Sequence, residues 1–227
     1  MSGFFSSTIG RKYAMALSAM FLLIFLIMHL SVNLLSIFSE SAFNDASYFM
    51  GYNPLIQFLM QPILIFGVLF HFIMGFVLEA KNNKARPVKY AADNAAANST
   101  WVSRNMIISG AVILAFLGLH MYDFWLHEMT YKYAPGTGDP TDMTRFWGEL
   151  NAKFQDLWRV IFYIVSFVLL GLHLAHGFQS SFQSMGARHP KYTPAIKAFG
   201  KWYSILIPAG FIVIAVFHFV RDTALFN

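Results

Sequence analysis

Four histidines, His29, His71, His120 and His173, stand inside long apolar stretches, one to a stretch. An imidazole in hydrocarbon is costly without a partner, so its recurrence on four successive stretches asks for one shared explanation. Histidine nitrogen is a metal ligand, and two histidines at one depth on different helices can bind a single iron from both faces of a porphyrin. A lone intramembrane histidine serves equally well to hydrogen-bond a neighbouring helix, whereas four at matched depths favour the iron. The chain has no cysteine, which removes disulfides, iron–sulfur clusters, thiolate-held metals and covalently attached haem. Any redox group must therefore be held by histidine or methionine.

The elements that carry these residues follow from composition. With 57% hydrophobic and only 12% charged residues among 227, and a mean hydropathy of +0.52, the chain is too apolar for a water-soluble domain. Its fold class reads as all-α, a single membrane domain of five transmembrane helices. Apolar runs place them at about residues 13–38, 54–80, 101–127, 157–184 and 202–220, each long enough for a hydrocarbon core of roughly 30 Å. Arg11 and Lys12 precede the first run, which is longer than the apolar core of a secretory signal and lacks a small-residue cleavage site. Pro62 predicts a kink in the second, and Ser99 and Thr100 are caps for the third. The stretches 39–53 and 128–156 read as connections, the latter marked by Pro135, Gly136, Gly138 and Pro140.

The net charge of +5 is not a nucleic-acid signal, because the basic residues lie in the connections and not on an amphipathic face. Eleven of the 16 Lys and Arg fall at the amino terminus and in the second and fourth connections, against five on the other side. The positive-inside rule then predicts a cytoplasmic amino terminus, an external carboxyl terminus and a multi-pass protein of the cell's inner, cytoplasmic membrane.

Topology converts sequence position into depth. At a rise of about 1.5 Å per residue, His29 is roughly 27 Å from Arg11, and His120 is roughly 24 Å from Arg104, both toward the outer face. On the returning helices His71 lies about 15 Å from Lys81 and His173 roughly 15 to 20 Å from its helix end, nearer the cytoplasm. Two pairs result, His29 with His120 and His71 with His173, and two b-type haems are expected. Gly67, Gly75, Gly110, Gly118, Gly171 and Gly177 would let a flat macrocycle approach the backbone. With both axial positions filled, the iron offers no open site to oxygen, which points to electron transfer. His176, three residues after His173 on the same face, is an alternative ligand, a propionate partner or a quinone contact, and spacing does not separate the two. His127 and His218 fall near outer helix ends and read as interfacial, and His189 as solvated.

These residues carry a resemblance. His29 through Asn33 at the end of the first helix, Phe70 and His71 with Gly75 in the second, and Arg104 and Asn105 opening the third are part of it. Leu119 and His120 near the end of the third and Phe162 and Tyr163 leading to His173 and Gly177 in the fourth complete it. In this order and spacing, over nearly the whole chain, the sequence resembles the di-haem, five-helix cytochrome b anchor subunits of type B succinate:quinone oxidoreductases, the succinate dehydrogenases and fumarate reductases. The resemblance implies ligation by His29 and His120 for a distal haem and by His71 and His173 for a proximal one, and it favours His173 over His176. It implies a flavoprotein subunit that oxidises succinate and an iron–sulfur subunit that passes electrons to this anchor. The basic inner loops, with Lys81, Lys84, Arg86, Lys89, Arg188 and Lys191, are candidates for docking the latter. It also implies a quinone site, for menaquinone in many members, near the distal haem.

Proton-carrying candidates at that site are Glu40, Asp45, Asp123, His127 and His218. Asp123 and Arg159 either pair with each other or leave Arg159 to a haem propionate, and Arg11, Lys12 and Arg104 could serve the proximal haem in the same way. Quinol-oxidising fumarate reductases of the family carry a glutamate where this chain has Gly171, which turns the expectation toward succinate oxidation. The other readings are the cytochrome b subunit of a hydrogenase or formate dehydrogenase, whose histidines are commonly distributed differently among the helices, and a transporter or haem-free structural membrane protein.

Overall fold

In hydrocarbon a backbone amide has no water to bond, so a spanning segment must satisfy its own hydrogen bonds and becomes a helix. The computed structural model describes residues 7–84, 105–139 and 141–221, and their regular elements are all helical. Five helices are long and apolar enough to cross a membrane: α1 (Thr8–Phe38), α3 (Ile56–Lys84), α4 (Met106–Tyr133), α6 (Leu157–Ser184) and α7 (Thr193–Arg221). Two short helices, α2 (Glu40–Tyr52) and α5 (Arg145–Lys153), lie in the connections.

The spanning helices are 28 to 31 residues long, at least about 42 Å each, so their ends pass beyond the hydrocarbon. Apolar runs alone do not reveal those polar extensions. The fifth expected helix, 202–220, in fact starts at Thr193, because Pro194 is pre-shaped for a first helical turn, and Lys197 and Lys201 stand on the helix rather than in a loop. The third, expected to end at His127, continues to Tyr133; its expected start and the caps Ser99 and Thr100 lie outside the described residues. At Pro62 the chain widens into a π-helical stretch, Ile56–Met60, just ahead of the proline, whose missing N–H and bulky ring disfavour a regular turn there.

The expected connection 39–53 holds α2. Ser39 caps it by accepting from the Ala42 amide, and its inner face buries Phe43 and Asn44. Likewise the polar stretch 128–156 contains α5, which buries Trp147, Leu150 and Asn151. Both escaped the sequence reading because each has only one or two apolar positions per turn.

The core lies between α1, α6 and α7, where Leu23, Leu30, Tyr163, Phe167, Leu174, Phe211 and Ile214 are buried together. The Tyr203 hydroxyl donates to the Leu23 carbonyl at 2.6 Å and ties α7 to α1. Helix α6 approaches α7 at Gly171, where a Cβ would stand 3.0 Å from the Ser204 carbonyl oxygen, a group that Pro208 four residues on leaves without its helical donor. By contrast α3 buries none of its residues.

Helices α2 and α5 cover one end of the bundle. The Trp147 amide donates to Asn44 Oδ1 at 2.7 Å, and its indole N–H donates to the Ser36 carbonyl at 2.9 Å. Arg145 lies between the rings of Tyr131 and Phe146, with Nη1 donating to both carboxylate oxygens of Glu149 at 2.9 Å and Nη2 paired to Glu128. Although burial opposes its charge, those carboxylates hold the Arg145 guanidinium above its ordinary pKa. Lys132 bridges Glu128 at 2.9 Å and the Gly51 carbonyl at 2.6 Å, which joins α4 to α2.

Two repeated turns order the segment before α5. The Thr141 hydroxyl and amide donate to Asp139 Oδ1, and the Thr144 amide and hydroxyl donate to Asp142 Oδ1. Those hydrogen bonds hold both carboxyls below the ordinary range. A folded pKa below the unfolded one gives stability that is present above the unfolded value and lost as pH falls through the folded one. Amide protection at Thr141 and Thr144, corrected for intrinsic exchange, is therefore expected to hold above about pH 4 and to collapse only below it. Protection that fades between neutrality and pH 5 would contradict this assignment.

Candidate functional site

The four histidines meet in two pairs. The rings of His71 on α3 and His173 on α6 lie 6.4 Å apart, centre to centre, and are inclined at 70°. Those of His29 on α1 and His120 on α4 lie 5.7 Å apart at 83°. It is His173, and not His176 one turn further on, whose ring meets that of His71; His176 remains half-buried beside it.

Each histidine is held by its own surroundings. His71 Nδ1 is 3.2 Å from Ser18 Oγ on α1, and His173 Nδ1 is 3.2 Å from Ser109 Oγ on α4. His29 stacks on Phe25 at 5.2 Å, touches Phe211 at 5.5 Å and has its Nδ1 3.4 Å from the side-chain amide of Asn33. His120 is packed among Phe116, Phe124 and Tyr163, and its Nδ1 is buried with no hydrogen-bond partner among the described residues. Ser18 and Ser109 sit beside one pair and eleven residues before the members of the other, so the pairs stand about 16 Å apart along the bundle.

Among the described residues no three His, Asp or Glu side chains converge to hold a bare ion. A porphyrin changes that requirement, because it brings four equatorial nitrogens and asks the protein for two axial ones. Imidazoles bound to one metal from opposite sides, with metal–nitrogen bonds of about 2.0 Å, stand roughly 6 Å apart. Both pairs match that separation, and at the Ser-supported pair Nδ1 is engaged and Nε2 is left for a metal. Ring separation and the Nδ1 acceptors both fit a haem at the His71–His173 pair, and ring separation fits one at the His29–His120 pair.

A polar cluster lies beside the His29–His120 pair. Asp123, on a π-helical stretch of α4 (Met121–Leu126), is 0% exposed; its Oδ2 accepts from Arg159 Nε and from the Tyr163 hydroxyl, each at 3.0 Å. Arg159 thus pairs with Asp123, the first of its two expected roles. The other carboxylate oxygen, Oδ1, is buried with no hydrogen-bond partner among the described residues. A cavity of about 220 Å³ opens here, lined by His29, Asn33, His120, Asp123, His127 and Glu128 among others, beneath the α2–α5 cover.

Of the quinone candidates, Asp123 and His127 line this cavity, whereas Glu40 and Asp45 are exposed on α2 and do not. His218 is fully buried away from it, with Nε2 3.0 Å from Ser36 Oγ and Nδ1 3.1 Å from Asn151 Oδ1, so both ring nitrogens are spent on tying α7 to α1 and α5. At the opposite end Arg11 is half-buried and Lys12 exposed, while Arg104, Arg86 and Lys89 lie outside the described residues.

Sequence reasoning missed Ser18 and Ser109. Their signal was present as a serine eleven residues before each of His29 and His120, preceded in both cases by methionine three residues earlier, Met15 and Met106.

Fold and site together define a class: an all-helical protein with five helices fit to cross a membrane and two interhelical histidine pairs stacked along its axis. No family model, curated protein or solved structure matches the chain.

Proposed function

We propose that this chain is the di-haem cytochrome b anchor of a succinate:quinone oxidoreductase, working in the direction of succinate oxidation in the cytoplasmic membrane. The observation that carries the reading is the pairing itself, two histidine pairs at ligand separation, each joining two spanning helices. Haem supplies a one-electron couple at each pair. His71 and His173 would hold the proximal group, and His29 and His120 the distal one. Flavoprotein and iron–sulfur partner subunits, which the resemblance implies, would deliver electrons at the cytoplasmic side. Menaquinone or another membrane quinone would accept them near the distal pair, where Asp123 and His127 face the cavity and can exchange protons with it. Gly171 supports this direction, since a side chain there would start with its Cβ 3.0 Å from the Ser204 carbonyl oxygen, a tight fit for a proton-carrying glutamate.

Reduced-minus-oxidised difference spectra of the chain purified in detergent test the reading. The expected result is b-type absorption amounting to two haems per chain, with flavin- and iron–sulfur-containing subunits copurifying under mild extraction. A chain without b-type bands when expressed in haem-replete cells overturns it, and two haems with a hydrogenase or formate dehydrogenase subunit as the partner would reassign the complex.

A further inference from the structure

The surroundings of His71 and of His173 are built twice from the same parts. On α1, Ser18 Oγ donates to the Met15 carbonyl at 2.8 Å and faces His71 Nδ1 at 3.2 Å. On α4, Ser109 Oγ donates to the Met106 carbonyl at 2.9 Å and faces His173 Nδ1 at 3.2 Å. Four residues after each histidine comes a glycine against the same methionine: a Cβ at Gly75 would stand 3.7 Å from Met15 Cε, and one at Gly177 would stand 4.0 Å from Met106 Cε. Thus α1 with α3 and α4 with α6 form two equivalent half-sites, each holding one imidazole.

The hydrogen bonding fixes the chemistry of both rings. A hydroxyl has one proton, and in each serine it is committed to the backbone carbonyl, so the oxygen can only accept from the imidazole. A neutral imidazole that donates at Nδ1 carries its lone pair at Nε2, the nitrogen that binds metal. An acceptor at Nδ1 also makes Nε2 a stronger electron donor, which favours the more oxidised metal. Neither member of the other pair has this support: His29 Nδ1 meets the Asn33 amide nitrogen, and His120 Nδ1 has no hydrogen-bond partner among the described residues.

We infer that Ser18 and Ser109 are positioning residues that lock His71 and His173 in the ligating tautomer and lower the reduction potential of the haem between them. The inference rests on the di-haem reading and adds the residues that tune one of its two centres.

Redox titration of the full chain in detergent, followed in the b-type bands, tests it on Ser18→Ala, Ser109→Ala and the corresponding threonine variants, with His71→Ala assigning which wave belongs to this pair. Each alanine variant is expected to shift the ferric-to-ferrous balance of the His71–His173 haem about tenfold toward ferrous, ~59 mV upward, and to leave the His29–His120 wave in place. Threonine, which keeps the hydroxyl, should restore the original potential. Should one alanine variant fail to assemble, the other carries the same test through its own half-site. Alanine variants that keep two haems at unchanged potentials, even with lowered thermal stability, would show the serines to be packing groups only and overturn the inference. A wild-type chain with no haem would instead remove the reading beneath it.

Discussion

His71→Ala and His173→Ala are each expected to lose one haem, the same one, and to keep the other, while His29→Ala and His120→Ala lose the second. The effect is large because a bis-imidazole site has no spare ligand. Loss of a would-be ligand nitrogen would weaken haem binding at that pair by more than the roughly 10- to 100-fold that losing only a hydrogen-bond partner of a metal-ligating histidine typically costs. Position makes the pattern specific, since the pairs stand about 16 Å apart along the bundle and share no residue. Difference spectra and haem content per chain measure it. If changes at His29 and His71 strike the same centre, the pairing is wrong. His176→Ala is expected to keep both haems, because its ring does not meet that of His71; loss of a haem there, with His173→Ala retaining it, would exchange the two roles.

Arg159→Met is expected to destabilise the protein by about 3–5 kcal/mol, the cost typical of removing one partner from a buried ion pair. Asp123 is 0% exposed, and Arg159 Nε is its charged partner at 3.0 Å. Without the guanidinium, the carboxylate would retain only the Tyr163 hydroxyl as a hydrogen-bond donor, at a position that is 0% exposed. The reverse change should be milder. Asp123→Asn removes the buried charge and keeps an oxygen for both donors, and Arg159, about a quarter exposed, still reaches Asp156 at 3.4 Å. Thermal unfolding of both variants in one detergent gives the ranking. An Asn variant less stable than the Met variant would show that the cluster is not organised around the burial of Asp123.

How much of this was legible in the sequence differs from residue to residue. Matching the depths of the histidines needed only the rise per residue and the alternation of helix direction, and the rings so matched are in contact. Asp123 and Arg159 stood out as charges within apolar stretches, and their pairing followed from the cost of leaving either alone. His218 showed nothing in the sequence to separate a ligand-facing imidazole from a structural one. Its burial against Ser36 and Asn151, respectively 182 and 67 residues away, depends on α5, a helix whose short amphipathic pattern was hidden in a polar stretch. Glu40 and Asp45 are expected at the quinone site from sequence position alone, but α2 leaves both exposed and away from the cavity.

By itself, then, the sequence determined the solvent, the number of spanning helices and which histidines share a level. These rest on hydrophobicity, length and helical rise, properties that need no neighbour. Only the tertiary structure decided which side chain each Nδ1 meets, that His173 rather than His176 faces His71, and that Asp123 is buried against a cavity while Glu40 is exposed. Those depend on the rotation of each helix about its axis. Rotation is set by close packing, such as Gly171 against the Ser204 carbonyl and the methionines over Gly75 and Gly177, and such contacts lie between residues far apart in the chain.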